Sequence, residues 1–234
     1  MAKKKEKIKI GSNDALIIVD LQNDFCSGGT LAVPSGDKIV PVVNRLIEKF
    51  IDATGRWCSN LKIVDNVVFT KDWHPPKHCS FKLWPIHCVQ GTQGAEFHPG
   101  LFVPNKNTLF LKKVVFYKGY KPRKDSYSGF DGIAEEMLGN LAVRGIDLSN
   151  PKLTLNGHLT WNSIIRIFVA GLATDHCVRA TALDGLKLGF EVYVITDAIA
   201  AVNVNSGDGE RAFVEMADDG VRFCESKDII SPKD

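Results

Sequence analysis

Apolar residues along this chain fall into short, nearly unbroken runs separated by longer amphipathic stretches. The runs are Ala15–Val19, Ile63–Phe69, Leu109–Phe116 and Ile164–Ala170, with Val192–Ile195 soon after the fourth. Each is rich in Val, Ile and Phe, has the length of a strand, and lacks the alternation of a strand with one wet face. Strands that read this way are covered on both faces, as in a parallel sheet. Between them, Asp37–Ala53 carries apolar residues at 39, 40, 42, 43, 46, 47, 50 and 51, a helical period with Asp37 as its cap. Asp131–Leu138 predicts a shorter helix, Asp175–Leu188 a third that Gly189 ends, and Gly207–Ala217 a fourth. Strand and helix alternate along one chain. That order predicts an α/β fold in three layers, a mostly parallel central sheet with helices on both faces. Gly139–Ser163, with scattered Asn, Pro and Gly, reads as an insertion or long loop, and residues 1–11 as a lysine-rich, poorly ordered tail. Residues 12–234 read as a single domain.

Composition excludes several classes. A chain of 234 residues buries a substantial core without staples. Its 29 Lys+Arg against 27 Asp+Glu leave a net charge of +2, with no clustered basic face for nucleic acid or a membrane surface. No run approaches the roughly 18 apolar residues of a membrane-spanning helix. The N-terminal stretch lacks the apolar segment of a secretory signal, so a cytoplasmic protein is expected. Cysteines at 26, 58, 79, 88, 177 and 224 form no Cys-x-x-Cys pair and are expected as reduced thiols.

In open α/β sheets ligands bind beyond the carboxyl ends of the strands. The first run ends in Asp20, the second leads into Thr70-Lys71-Asp72-Trp73-His74, the third ends in Lys118, and the fourth passes Gly171 to reach Cys177. An acid, a pair of metal-type ligands, a lysine and a cysteine therefore converge on one rim. Cys177 opens a predicted helix, where unpaired N–H groups and the helix dipole favour a thiolate and can hold an oxyanion. On position alone, that reading and a small buried core residue balance. Asp20 as proton acceptor and Lys118 as positive neighbour complete the arrangement of an activated nucleophile and tip the balance toward function. Lys112, Lys113, Lys121 and Lys124 compete with Lys118, whose choice rests on Phe116-Tyr117-Lys118-Gly119 closing an apolar run. Asp72 and His74, at i and i+2, share a strand face, and His87 completes a three-ligand set with open positions. His78 and His98 read as structural, and His158 as exposed. Trp73, Trp84, Phe25 and Tyr127 lie close to these residues; aromatic rings in such places are usually core, though a flat substrate would need walls of this kind.

Five segments together resemble the nicotinamidase/pyrazinamidase family of isochorismatase-like cysteine hydrolases. They are Ala15–Phe25 (ALIIVDLQNDF), Thr70–Pro75 (TKDWHP), Trp84–Thr92 (WPIHCVQGT) with Gly94–Phe97 (GAEF), Tyr127–Phe130 (YSGF) and Gly171–Val178 (GLATDHCV). They occur in family order over most of the chain, apart from the tail and Gly139–Ser163. The resemblance implies a catalytic triad of Asp20, Lys118 and Cys177 and one divalent metal, usually Zn2+ with Fe2+ or Mn2+ as alternatives, on Asp72, His74 and His87. It also implies Phe25, Trp84 and Tyr127 as neighbours of a substrate ring. A cis peptide before Ala173 would aim the N–H groups of Ala173 and Cys177 at an oxyanion. The activity it implies is hydrolysis of nicotinamide to nicotinic acid and ammonia through a thioester, in NAD salvage. The partner is then a small molecule, and homo-oligomers are common in the family. The nearest alternative is a related isochorismatase-like amidase acting on another small carboxamide. In a different class, a non-heme iron oxygenase on the same three ligands leaves Cys177 and Lys118 without a task. A non-catalytic pyridine-binding module would hold the ring and release no ammonia.

Overall fold

In the computed structural model, the described residues are 7–54, 56–58, 61–63, 66–103, 114–135 and 153–232. The strands are β1 (Ile8–Lys9), β2 (Asp14–Val19), β3 (Arg56–Cys58), β4 (Leu61–Ile63), β5 (Val67–Asp72), β6 (Val114–Lys118), β7 (Ile133–Ala134), β8 (Arg166–Leu172), β9 (Glu191–Ala200), β10 (Arg222–Cys224) and β11 (Ile229–Ile230). The helices are α1 (Val40–Thr54), α2 (Leu155–Trp161), α3 (Arg179–Lys187) and α4 (Asp208–Asp219). Seven strands form the central sheet in the order β10-β9-β8-β2-β5-β6-β7, parallel except for the β6–β7 pair.

Every residue of β2 and β5 is buried, which is why Ala15–Val19 and Val67–Phe69 are unbroken apolar runs, while the polar end of β5, Thr70-Lys71-Asp72, is buried with its polar groups paired. Leu16, Ile18 and Phe69 pack with Val43, Leu46, Ile47 and Phe50 of α1 on one face. Ile17, Val19 and Val68 pack with Leu159 of α2, Ala182 of α3 and Met216 of α4 on the other. The sheet thus separates two apolar cores, and the fold has three layers. No helix among the described residues is long and apolar enough to cross a membrane.

Three local expectations are corrected. Part of the expected tail belongs to the fold: β1 pairs in parallel with β11, and Ile10 is buried because Ile8 and Ile10 alternate with lysines and turn one face to the core, while residues 1–6 lie outside the described residues. Ile133–Ala134 is not helical but pairs antiparallel with Phe116 and Tyr117 at the sheet edge, while 136–138 lie outside the described residues. The stretch read as an insertion lies outside them through residue 152, and its remainder holds α2 rather than a loop. Thr154 caps that helix by accepting the Gly157 N–H (3.1 Å), and Leu155 and Leu159 at i and i+4 face the core. His158 on α2 is accordingly buried, with its ring edge-on to Phe116.

Candidate active site

Four strand ends deliver the candidate side chains to one rim. β2 stops at Val19 and Asp20 turns off the sheet with φ 44°, a left-handed conformation that Asp tolerates. On β5, Thr70 and Asp72 share the strand face that meets this turn, and Lys118 lies opposite Asp72 across the β5–β6 ladder. β8 ends at Leu172, the Leu172–Ala173 peptide is cis, and a π-turn over Thr174–Val178 carries Cys177 into α3. Gly171 (φ 116°) allows this exit, because a Cβ there would lie 2.0 Å from the Val19 carbonyl oxygen.

Lys118 Nζ is fully buried and gathers the polar groups. It lies 2.8 Å from Asp20 Oδ2, 2.5 Å from Asp72 Oδ1, 3.3 Å from Cys177 Sγ and 3.2 Å from the Ser126 carbonyl oxygen. Carboxylate oxygens of Asp20 and Asp72 and the Cys177 sulfur fall within 4.8 Å of one another. Thr70 Oγ1 donates to Asp20 Oδ1 (2.6 Å) and accepts the Asp20 N–H, which fixes that carboxylate. Burial penalises the charge on Asp20 more than Lys118 relieves it, so its pKa is raised above the ordinary carboxylate range. Burial, with both carboxylates adding to it, also puts the Cys177 thiol well above its usual value despite Lys118. Lys118 itself, though burial opposes its charge, is held protonated by Asp20 and Asp72. Asp72 is also buried, yet Lys118 and the two imidazoles hold its pKa below the ordinary range.

Asp72 turns its second oxygen to two imidazoles. Oδ2 lies 3.5 Å from His74 Nε2 and 3.9 Å from His87 Nε2. His74 Nδ1 donates to the Gly119 carbonyl (3.0 Å) and His87 Nδ1 to the Pro85 carbonyl (2.7 Å), so both rings present the Nε2 lone pair to the same point. His74 Nε2 is buried without a hydrogen-bond partner. An ion about 2.1 Å from each donor would set the donors about 3.0–3.4 Å apart; the two carboxylate–imidazole distances, 3.5 and 3.9 Å, are somewhat longer, and the donor types fit a divalent metal of the zinc type. Cys26, Asp37 and His98 also approach within 4.8 Å. There, however, His98 Nδ1 accepts the Gly100 N–H (3.1 Å), which leaves the ring proton on Nε2 and no free donor for a metal. His78 stacks on His74 with both nitrogens engaged, by Ser80 Oγ and the Lys124 carbonyl.

Phe25, Trp84 and Tyr127 line the same cleft as Cys177 and the Asp72–His74–His87 set, a space of about 460 Å³ including its open mouth. Trp84 Nε1 donates to Tyr127 Oη (3.0 Å), and His176 packs against both rings. The structure thus brings these three rings, Cys177, Ala173, Asp72, His74 and His87 to one cleft, with Asp20 and Lys118 fully buried against Cys177 and Asp72 beneath its lining. Sequence reasoning passed over Thr70, Gln22, Ser126 and His176. Thr70 was findable, since it shares the strand face of Asp72 two residues away. Ser126 acts through its carbonyl, which no side-chain pattern reveals.

A family model for the isochorismatase domain matches residues 14–136 and 153–228. The nicotinamidase of Escherichia coli K12 is 38% identical over 87% of this chain and 90% of the relative. Among solved structures, a pyrazinamidase of Pyrococcus horikoshii in complex with zinc shares 39% identity, covering 91% of this chain and 99% of its own, with a TM-score of 0.69. PnC1 of L. infantum in complex with nicotinate shares 32% over 96% and 99%, with a TM-score of 0.72. The match spans both cores and every strand end that carries the cleft, and the chain belongs to the nicotinamidase/pyrazinamidase family of isochorismatase-domain hydrolases.

Proposed function

We propose that this protein hydrolyses nicotinamide to nicotinic acid and ammonia, a step of NAD salvage, through a thioester on Cys177. The observation that carries the reading is the position of Lys118 Nζ, within 3.3 Å of Asp20, Asp72 and Cys177 at once, while Asp72 faces two imidazoles with its other oxygen. The relatives' activities and the nicotinate bound to one of them support the substrate.

Asp20 accepts the Cys177 proton as sulfur attacks the carboxamide carbon. Burial raises its pKa above the ordinary carboxylate range, so it takes up a proton more readily than an exposed aspartate would. The N–H groups of Ala173 and Cys177 stabilise the oxyanion. Protonated Asp20 then gives its proton to the departing ammonia, and as a carboxylate it takes one from the water that hydrolyses the thioester. Lys118 stays positive throughout and keeps Asp20 and the sulfur in register. Phe25, Trp84 and Tyr127 flank the ring. Asp72, His74 and His87 would hold one divalent ion, zinc first and iron or manganese as alternatives. When bound, it supplies a Lewis-acidic position for the ring nitrogen. The reading keeps a cytoplasmic enzyme with a small-molecule partner and no nucleic-acid or membrane surface.

The test is ammonia and nicotinic acid release from nicotinamide by purified protein, before and after chelation. Equal production of both, lost on chelation and restored by zinc, is the expected result. Cys177→Ala should lower turnover by at least about three orders of magnitude with metal content intact. Ammonia release by that variant near the native rate would remove the thioester mechanism.

A further inference from the structure

β2 and β5 pair in parallel as far as Ile18 and Phe69. Asp20 then leaves the sheet, so Asp72, three residues beyond Phe69, has no main-chain partner on that side. On its other side β6 supplies Lys118 in register. A side chain fills the gap. Gln22 Nε2 donates to the Asp72 carbonyl (2.8 Å), and Gln22 Oε1 accepts the Asp72 N–H (2.8 Å). One primary amide therefore closes both hydrogen bonds of a single residue, as the peptide of a neighbouring strand would. The second Nε2 proton goes to the Ala95 carbonyl (2.9 Å), and Gln22 is fully buried. Its own backbone is fixed in turn, bridging antiparallel to Phe97, with Asn23 N–H on the Glu96 carbonyl.

We propose that Gln22 is a positioning residue that fixes Asp72 for two tasks at once, pairing with Lys118 through Oδ1 and facing His74 and His87 through Oδ2. The second task rests on the metal reading given above. Two bonds to Asp72, with a third anchoring the same amide to Ala95, leave the Asp72 main chain a single placement, and a shift there displaces both oxygens together. The metal set and the Lys118 cluster are thereby coupled through a residue that touches neither metal nor substrate.

Two variants test this. Gln22→Met keeps length and apolar bulk but removes the amide. Gln22→Glu keeps the acceptor for the Asp72 N–H, and only when protonated regains a donor for a carbonyl. In the metal-free protein, amide exchange of Asp72 in Gln22→Met should quicken at least about tenfold while Phe69 exchange stays unchanged. Zinc affinity, read by competition with a chromophoric chelator, should weaken about 10- to 100-fold. For Gln22→Glu, the zinc affinity relative to native protein should recover as pH falls, a trend no loss of packing produces. Ile47→Ala, a core change in α1, serves as control: its melting temperature should drop with Asp72 exchange and zinc affinity unmoved. Native-like Asp72 exchange and zinc affinity in Gln22→Met overturn the assignment, as does equal zinc loss in Ile47→Ala. Should the native protein take up no zinc, iron or manganese, the metal reading fails and the second task with it. The Asp72 exchange result then decides the first task alone.

Discussion

Lys118 is a buried cation between two carboxylates, and its removal is not a neutral change. Losing one partner of a buried ion network leaves uncompensated charge, at a cost of about 3–5 kcal/mol. Lys118→Met leaves Asp20 and Asp72 facing each other without the ammonium that offsets the burial of both. Asp20 should then keep its proton at neutral pH and lose its capacity as a base. The expected outcome is a chemical-denaturation midpoint lowered by that order of energy, together with loss of turnover. Unchanged stability with turnover within tenfold of native would contradict the cluster described here. Asp20 also sets a pH dependence. It works as a carboxylate, and burial raises its pKa above the ordinary range. The base form is present above that raised value and is lost as pH falls through it. The kcat/KM profile at saturating metal should therefore show an acid limb with its midpoint above that of an exposed aspartate. Lys118, held protonated far into the alkaline range, contributes no basic limb near neutrality. A profile flat through the exposed-aspartate range would rule out Asp20 as the base.

Turns between elements decide whether these side chains meet. Gly119 follows β6 directly with φ 62°, and a Cβ there would lie 2.4 Å from His74 Cε1. Its carbonyl is the acceptor that sets the His74 tautomer. Gly119→Ala strains the backbone and pushes the imidazole off the metal set at once. Zinc affinity should fall by at least about tenfold, with melting temperature lowered even in the metal-free protein. Native zinc affinity in this variant would show that His74 has slack the packing does not suggest. The central strands were readable because burial on both faces makes an unbroken apolar run. β10 and β1 were not, being two or three residues long at sheet edges, and β7 was mistaken for helix because a two-residue strand has no period. In the cleft, Asp20, Asp72, Lys118 and Cys177 were traceable because each follows a run and carries its own chemistry. Gln22 was not, since it acts on a peptide 50 residues away through an amide that looks like any other polar side chain. The expectation of an exposed His158 fails because the residue sits on α2, whose signature in the sequence is Leu155 and Leu159 at i and i+4.

At the scale of the whole molecule, the ligand set ties elements from across the sheet. Asp72 comes from β5, His74 from the segment beyond it, and His87 from a loop whose Cys88 N–H is held by Asp24 (2.7 Å), just beyond β2. An ion bound there by the folded state alone adds RT ln(1 + [L]/Kd) to stability, about 2.7 kcal/mol at one hundred times Kd. Excess zinc should therefore raise the melting temperature of chelated protein, in a concentration-dependent way. Cys177→Ala should show the same rise, because sulfur belongs to the chemistry and not to the ligand set. His87→Ala should show a much smaller rise, measured from its own metal-free melting temperature, which falls because the buried ring also gives up a hydrogen bond to Pro85, contacts with neighbouring rings and its approach to Asp72. The pair of variants separates holding the metal from using it. A zinc-dependent rise that vanishes in Cys177→Ala but persists in His87→Ala would move the ion to the thiol and the Asp20–Asp72 carboxylates, and the division of labour between the two halves of the cleft would have to be reversed.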